Sequence, residues 1–354
     1  VRSSTAATSV PVLSRRSSAV GLLAVVGLAV GLLWWSKWAP YADRTAVIDD
    51  TGAYPGSALV DLTRDGAASL SAAWAFTTTY AEAVWKALLA ALLLASAVEA
   101  FLPRERLVRA LSPRGTTTDT VAGGLCSLPT MMCSCCAAPL VRAARQGGAS
   151  LGGTLAFWVG NPLLNPAVLV FLALLAPWQW TVTRLVMGLV VVVGLTALVA
   201  RLAGPRAAPP PTTAPPPPAQ PWSLATAPGR FARALTRNTL TLVPEYLLLV
   251  FAVGLLRGWL PPLDDATLAV VLAAAVLGTL VVLPTAGEIP ILLALAAADA
   301  APATLGALLI TLPALSLPSM VMVARPLGTR ATAAMGGAVA LAGLASAGML
   351  AALS

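Results

Sequence analysis

Three of the chain's four cysteines fall within four positions, Cys133, Cys135 and Cys136, inside the stretch Met131-Met132-Cys133-Ser134-Cys135-Cys136-Ala137-Ala138-Pro139. Thiolates and thioethers are soft ligands, matched to thiophilic centres such as trivalent arsenic, antimony or Cu(I) and poorly matched to Mg2+ or Ca2+. A trivalent arsenical exchanges its oxygen ligands for two or three sulfurs. The group Cys133, Cys135 and Cys136, with Ser134 among them and Met131 and Met132 as weaker sulfur donors, could hold one reversibly. Cysteine also serves as a small hydrophobe where membrane helices approach closely, and that reading stands beside the first. A structural zinc site lacks the second Cys or His pair that four ligands require. Adjacent cysteines such as Cys135 and Cys136 bridge only with strain, so reduced thiols are expected. The fourth, Cys126, lies seven residues before Cys133 and would share its face if one helix carried both.

Other polar groups sit in apolar surroundings. Asn161 and Asn165 are four residues apart, each followed by a proline. Their amides either contact a polar solute or cap a helix broken within the membrane. Glu288 is an acid in a long apolar region and is the first candidate for coupling transport to protons, unless it lies solvated at an external mouth. Glu99 and Glu245 could pair with Arg257 or reach an interface, and Glu82 and Lys86 have the spacing of an ordinary helix salt bridge. Thr279, Thr311, Ser316 and Ser319 either line a path or join helices.

These residues must be positioned by membrane helices. The 354 residues are 58% hydrophobic and 10% charged, with mean hydropathy +0.84, whereas a soluble domain carries about 25% charged residues. A net charge of +8 suggests nucleic acid in a soluble chain, but here the arginines serve as loop residues that set topology, and no nucleic-acid partner is expected. Histidine is absent, which removes the commonest metal ligand and any His proton relay. No Walker-type loop appears, no cofactor or resident metal is implied, and an enzyme is not expected.

Arg2, Arg15 and Arg16 precede an apolar run from Ala19 to Trp35, closed by Trp34, Trp35, Lys37 and Trp38 at an expected interface, and expected as a retained first span because it is long and no A-x-A site follows. The aspartates between Pro40 and Asp65 mark an external polar loop. Further spans are expected at about 84–103, 150–177, 182–202, 239–260, 303–324 and 332–352. The region from Asp119 to Gln146 would place Arg142 and Arg145 outside if it crossed. A re-entrant hairpin avoids this, with arms of roughly 20 Å that bring the cysteines to the bilayer midplane. Gly204 to Pro221 is rich in proline and reads as an extended cytoplasmic linker. Phe231 and Leu235 then suggest a short helix on the inner leaflet.

The two halves repeat. Leu128-Pro129-Thr130 recurs as Leu283-Pro284-Thr285, and the 23-residue interval from Pro139 to Pro162 recurs from Pro290 to Pro313. Three spans and one hairpin per half make an odd number of crossings, which inverts the second half, a recurring transporter design. The expected organisation is an N-terminal span and loop (1–81), a first repeat with the Cys-rich hairpin (82–203), the linker (204–237) and a second repeat (238–354). The fold class is an all-α polytopic membrane protein with seven full spans, N-terminus inside and C-terminus outside.

Cys133-Ser-Cys-Cys-Ala-Ala-Pro139, Arg145-Gln-Gly-Gly-Ala-Ser-Leu-Gly152 and Leu155-Ala-Phe-Trp-Val-Gly-Asn161-Pro-Leu-Leu-Asn165-Pro-Ala167 together resemble the signature of the ArsP/YraQ-type predicted permeases. That family's C-S-C-x-x-x-P motif falls on Cys133, Ser134, Cys135 and Pro139. The match is specific over about Val84 to Pro177 and looser afterwards. Where the family commonly has Pro-x-Cys-Ser-Cys with Gly next, Met131 and Cys136 stand here. The resemblance implies a bacterial plasma-membrane permease, with efflux of trivalent organoarsenicals as the associated activity. Cys133, Cys135, Cys136, Ser134, Met132, Asn161 and Asn165 are then the expected substrate-binding residues and Glu288 the coupling residue. The expected partners are a small-molecule substrate and the lipid bilayer, with association into a homo-oligomer left open. Transport of a sulfur-containing anion such as thiosulfate, or a thiol-redox or scaffold role, stands as the alternative.

Overall fold

The structure, a computed structural model, describes residues 15–55, 69–101, 104–112, 115–204, 226–256 and 267–354. The proline-rich linker beyond Gly204 lies outside the described residues, as do Asp61, Asp65, Arg64, Arg257, Asp264 and Asp265. Among the described residues all regular structure is helical. Six helices are long and apolar enough to cross a membrane, and a bent pair makes a seventh by the same measure. The chain is thus a polytopic α-helical membrane protein. Leu23, Leu248 and Leu341 point outward on three of these helices, as hydrocarbon solvent permits.

The first helix, α1 (Arg15–Leu33), continues through a π turn (Trp34–Trp38) into α2 (Ala39–Thr51). Residues 40–51 are therefore helix, where the sequence suggested loop. The π turn explains this: Ala39 N–H reaches back five residues to Trp34 O, so the widened turn takes up Pro40 at the start of α2. Next, α3 (Leu70–Phe101) starts well before Val84. The Thr77 and Thr78 hydroxyls donate to the carbonyls of Ala73 and Ala75 at 2.7 and 2.9 Å, so this polar stretch keeps its hydroxyls satisfied within the helix. The short α4 (Arg104–Leu111) follows.

A succession of elements then occurs twice. The first comprises α5 (Thr116–Ser127), α6 (Ser134–Gln146), α7 (Leu151–Leu163), α8 (Pro166–Leu175) and a long helix formed by α9 (Trp178–Leu189), a π turn and α10 (Thr196–Ala203). The second begins after α11 (Ala227–Leu256) and comprises α12 (Leu268–Leu280), α13 (Glu288–Ala297), α14 (Pro302–Ala314), α15 (Leu317–Leu327) and α16 (Thr329–Leu353). The inner-leaflet helix expected around Phe231 is the first part of the continuous α11, anchored where Arg230 donates to Ala100 O at 2.8 Å.

Packing follows the same duplication: α5 lies on α7, α12 lies on α14, and α3 pairs with α11. A single offset of 151 residues relates Ser127 to Gly278, Pro139 to Pro290, Gly160 to Thr311, Pro162 to Pro313 and Asn165 to Ser316. The first and third of these pairs form the two helix crossings. A Cβ on Gly160 would meet Ser127 Oγ at 2.5 Å, and one on Gly278 would meet the Thr311 hydroxyl. Each crossing therefore holds one hydroxyl residue against one glycine, with the assignments exchanged between halves. Asn165 and Ser316 have the same local role, as N-caps of α8 and α15.

The break before α8 falls at Leu164–Asn165, while Pro162 stays within α7. The corresponding break between α14 and α15 bends the axis by 51°. Prolines at 166 and 313 remove the N–H groups that would have bonded Pro162 O and Leu309 O. Both carbonyls are taken by one side chain, Arg184 of α9: Nη2 donates to Pro162 O at 2.8 Å and Nη1 donates to Leu309 O. Arg184 Nε also donates to Leu163 O at 3.0 Å. A fully buried arginine thus fastens the broken helices of both halves together.

Candidate functional site

The cysteines lie where α5 gives way to α6. Ser127 ends the first helix, Leu128 to Cys133 form the turn, and Met131 takes φ +47, a left-handed conformation rare outside glycine. Ala286 takes φ +69 in the second half's turn, at the corresponding distance from Leu283-Pro284-Thr285. Such backbone persists only where surroundings hold it. Here they do: Trp38 Nε1 donates to Pro129 O at 2.8 Å, Tyr41 Oη to Met131 O at 3.3 Å and Trp158 Nε1 to Ser134 O at 3.2 Å.

Asn161 closes the turn from α7. Its Oδ1 accepts from Met132 N–H at 3.1 Å and contacts the Thr130 hydroxyl, while Nδ2 donates to Phe157 O at 2.7 Å. The side chain is committed to shaping the cysteine turn. Asn165 Oδ1 accepts from Ala167 N–H and Val168 N–H at 3.0 and 3.4 Å, the helix-cap role that the sequence left open. Its buried Nδ2 has no hydrogen-bond partner among the described residues.

Cys133 is the N-cap of α6, its Sγ accepting from Cys136 N–H at 3.4 Å. Cys133 Sγ and Cys136 Sγ lie 3.0 Å apart, and Cys135 Sγ lies 3.0 Å from Ser316 Oγ at the head of α15. All three thiols are free and buried, as are Ser134 and Met132. Cys126, by contrast, is exposed near the end of α5, because the turn separates the two helices and no common face exists. Among the described residues no group of three or more His, Cys, Asp or Glu side chains is arranged to hold a metal ion.

A cavity of about 410 Å3 reaches Cys133 from the side of the first helix. Lys37, Tyr41 and Arg44 form one wall, Glu82 and Lys86 of α3 another, and Pro284, Thr285 and Gly287 of the second turn a third. Both turns therefore border one space. Lys37 Nζ donates to Thr285 Oγ1 at 3.3 Å, joining the first helix to the second turn. Glu288 faces elsewhere: its Oε1 accepts from Arg184 Nη2 at 3.1 Å, with both side chains almost wholly buried.

Ion pairing differs from the sequence expectation. Glu99 Oε2 pairs with Arg237 Nη2 at 2.5 Å. Glu82 and Lys86 form no ion pair within 4.0 Å, and Lys86 lies over the rings of Trp35 and Trp85, each centroid 5.8 Å away. Arg184 escaped the sequence reading, and Lys37, expected at an interface beside Trp34, Trp35 and Trp38, is buried instead. Each was visible as a lone cation inside an apolar run, which is a signal in its own right.

A succession of helices that occurs twice, with broken helices in each set and both turns bordering one cavity, in a chain that spans the membrane several times, fits a membrane transport protein. The chain belongs to the ArsP_1 family of predicted permeases, whose model matches residues 69–352. It is 37% identical over 321 residues to the UPF0718 protein YraQ of Escherichia coli (strain K12), covering 90% of this chain and 91% of that protein. No solved structure matches.

Proposed function

We propose that this permease exports a soft, thiophilic solute, most specifically a trivalent organoarsenical, using Cys133 and Cys136 as transient ligands with Cys135 in reserve. The carrying observation is the 3.0 Å approach of the Cys133 and Cys136 sulfurs on a braced turn, with Cys133 bordering a cavity. The exchange balances without a redox partner. Two thiols displace two hydroxyls from R–As(OH)2, forming two As–S bonds and releasing two waters, and the reverse step frees the cargo. Met132 supplies a further soft atom behind the turn, Ser134 orients the first turn of α6, and Asn161 and Asn165 hold the polar framework. Arsenicals are chosen through family membership and thiol chemistry together.

In this reading the two halves are inverted repeats in a bacterial inner membrane, each with a re-entrant hairpin, and the N-terminus is cytoplasmic. Glu288 couples the cycle to protons: protonation would release Arg184 and loosen the clamp on both helix breaks. The cations around the cavity favour one second reading, transport of a sulfur-containing anion such as thiosulfate.

The test is uptake of methylarsenite, phenylarsenite and thiosulfate into everted and right-side-out vesicles, comparing wild type with a variant in which Cys133, Cys135 and Cys136 are serine. Loss of arsenical transport in the variant supports the ligand role, and unchanged transport sinks it. Failure to move any cargo in either orientation, with cysteines that cycle between thiol and disulfide, favours a redox component instead.

A further inference from the structure

We infer that the cargo carries negative charge when it occupies the cavity, and that Lys37 is the cation that receives it; this rests on the thiol reading above and narrows its substrate class to thiophilic anions. Lys37 is only 7% exposed, in the middle of an apolar helix. A buried ammonium is expensive unless an opposite charge compensates it. Among the described residues the ion pairs are Arg184–Glu288 and Arg237–Glu99, so no carboxylate lies within 4.0 Å of Lys37. Lys37 Nζ donates to the neutral Thr285 hydroxyl and sits 5.6 Å from the Tyr41 ring centroid, with the Tyr41 phenol and the Cys133 and Cys136 thiols as the acidic groups nearest it. With Thr285 and Tyr41 each taking one, a donor remains for a ligand.

The surroundings repeat the imbalance. Among the described residues Arg44 and Lys86 border the same cavity with Glu82 as the carboxylate there. Arg44 bonds the Tyr54 hydroxyl at 2.9 Å, and Lys86 lies over two tryptophan rings, so neither is neutralised by its contacts. Low-dielectric walls lined by one sign of charge concentrate ions of the other. Cys133 borders this same cavity, which permits one ligand to place an anionic group at Lys37 and a soft atom at the thiol. The cation sits on a segment that precedes residues 69–352, the part matched by the permease family. Charge selection is therefore separable from the thiol chemistry of the core.

Two sources share this chemistry: an arsenical bearing a carboxylate, and a thio-oxyanion. Uptake of carboxyphenylarsenite, phenylarsenite, thiosulfate and sulfate into vesicles would be compared for wild type, Lys37→Met, Lys37→Arg and Cys133→Ser. Methionine fills the space of lysine without its charge, and protein recovered in the membrane checks folding. Wild type is expected to prefer one or both thiophilic anions over phenylarsenite and sulfate. Lys37→Met is expected to lose at least about tenfold on the anions while phenylarsenite uptake holds, since a hydrogen bond to a charged group is worth more than a neutral one. Lys37→Arg should keep the preference. Saturation by carboxyphenylarsenite alone, or by thiosulfate alone, identifies the source. Equal loss for charged and neutral cargo in Lys37→Met overturns the inference, since it would make Lys37 a partner of the fold or of the thiol. So does a wild type indifferent to charge. The thiol reading fails separately, if Cys133→Ser transports normally while the anion preference persists.

Discussion

Arg184 and Glu288 stand 104 residues apart in sequence and 3.1 Å apart in space, in the two successive sets of helices. The guanidinium also donates to the carbonyls that Pro166 and Pro313 leave without donors, so the pair is one part of a larger clamp. Losing Arg184 strands a carboxylate and three carbonyls, whereas Glu288→Gln preserves an acceptor. We expect Arg184→Ala to destabilise the protein by at least about 3–5 kcal/mol and Glu288→Gln by distinctly less. Thermal unfolding in detergent gives the order, and a milder effect for Arg184→Ala would remove the clamp from the account.

Coupling is tested by the same acid. If Glu288 carries the proton, Glu288→Gln should abolish acceleration of transport by an imposed pH gradient while cargo exchange without a gradient persists. Vesicle uptake with and without the gradient reads both, and a gradient response of wild-type size in the variant excludes Glu288.

Asn161 holds the cysteine turn through Met132 N–H and the Thr130 hydroxyl. Replacing it with alanine should cost about 1–3 kcal/mol, because buried donors are left unmet. Cys133 and Cys136 should then react faster with maleimide. Alkylation rates resolved by mass spectrometry at each cysteine provide the check, with Cys126, already exposed, as the internal reference.

Ser316 serves two masters, capping α15 and contacting Cys135 at 3.0 Å. Ser316→Ala should therefore lower stability by about 1 kcal/mol and increase Cys135 reactivity. Ser316→Asp keeps a capping oxygen but introduces a carboxylate beside the thiol. It should retain the helix in hydrogen exchange while reducing uptake of anionic cargo.

The crossing of α5 and α7 allows a compensation experiment. Gly160→Ala places its Cβ 2.5 Å from Ser127 Oγ but 3.3 Å from Ser127 Cβ. The single substitution should lower the unfolding temperature, and adding Ser127→Ala should restore most of it. A double variant no better than the single one would show that the close approach is not set by these two side chains.

Much of this architecture was readable in advance, because it depends on features that sequence records locally. The prolines after Asn161 and Asn165 marked the first helix break, whereas 303–324 read as one span although it carries Pro313 and Pro318; the spacing of Leu128-Pro129-Thr130 and Leu283-Pro284-Thr285 located two turns now seen with left-handed residues at Met131 and Ala286. What was missed depends on partners. Hydropathy registers how apolar a run is but not which carbonyls it leaves open, so Arg184 passed as part of an ordinary span. Pro40 suggested a helix end because the π turn before it has no sequence mark as clear as proline itself. Lys37 resembled an interfacial anchor among tryptophans until Thr285, 248 residues away, was found beside it.

The exchanged pairs at the two crossings also restrict how such a chain can be rebuilt. Grafting α14 opposite α5 would set Thr311 against Ser127, two hydroxyls where the backbone spacing admits one. The reciprocal graft would face Gly160 with Gly278 and leave a gap. The helix before each turn and the broken helix it packs on therefore form one matched pair, and viable exchanges between the two halves should keep α5 with α7 and α12 with α14.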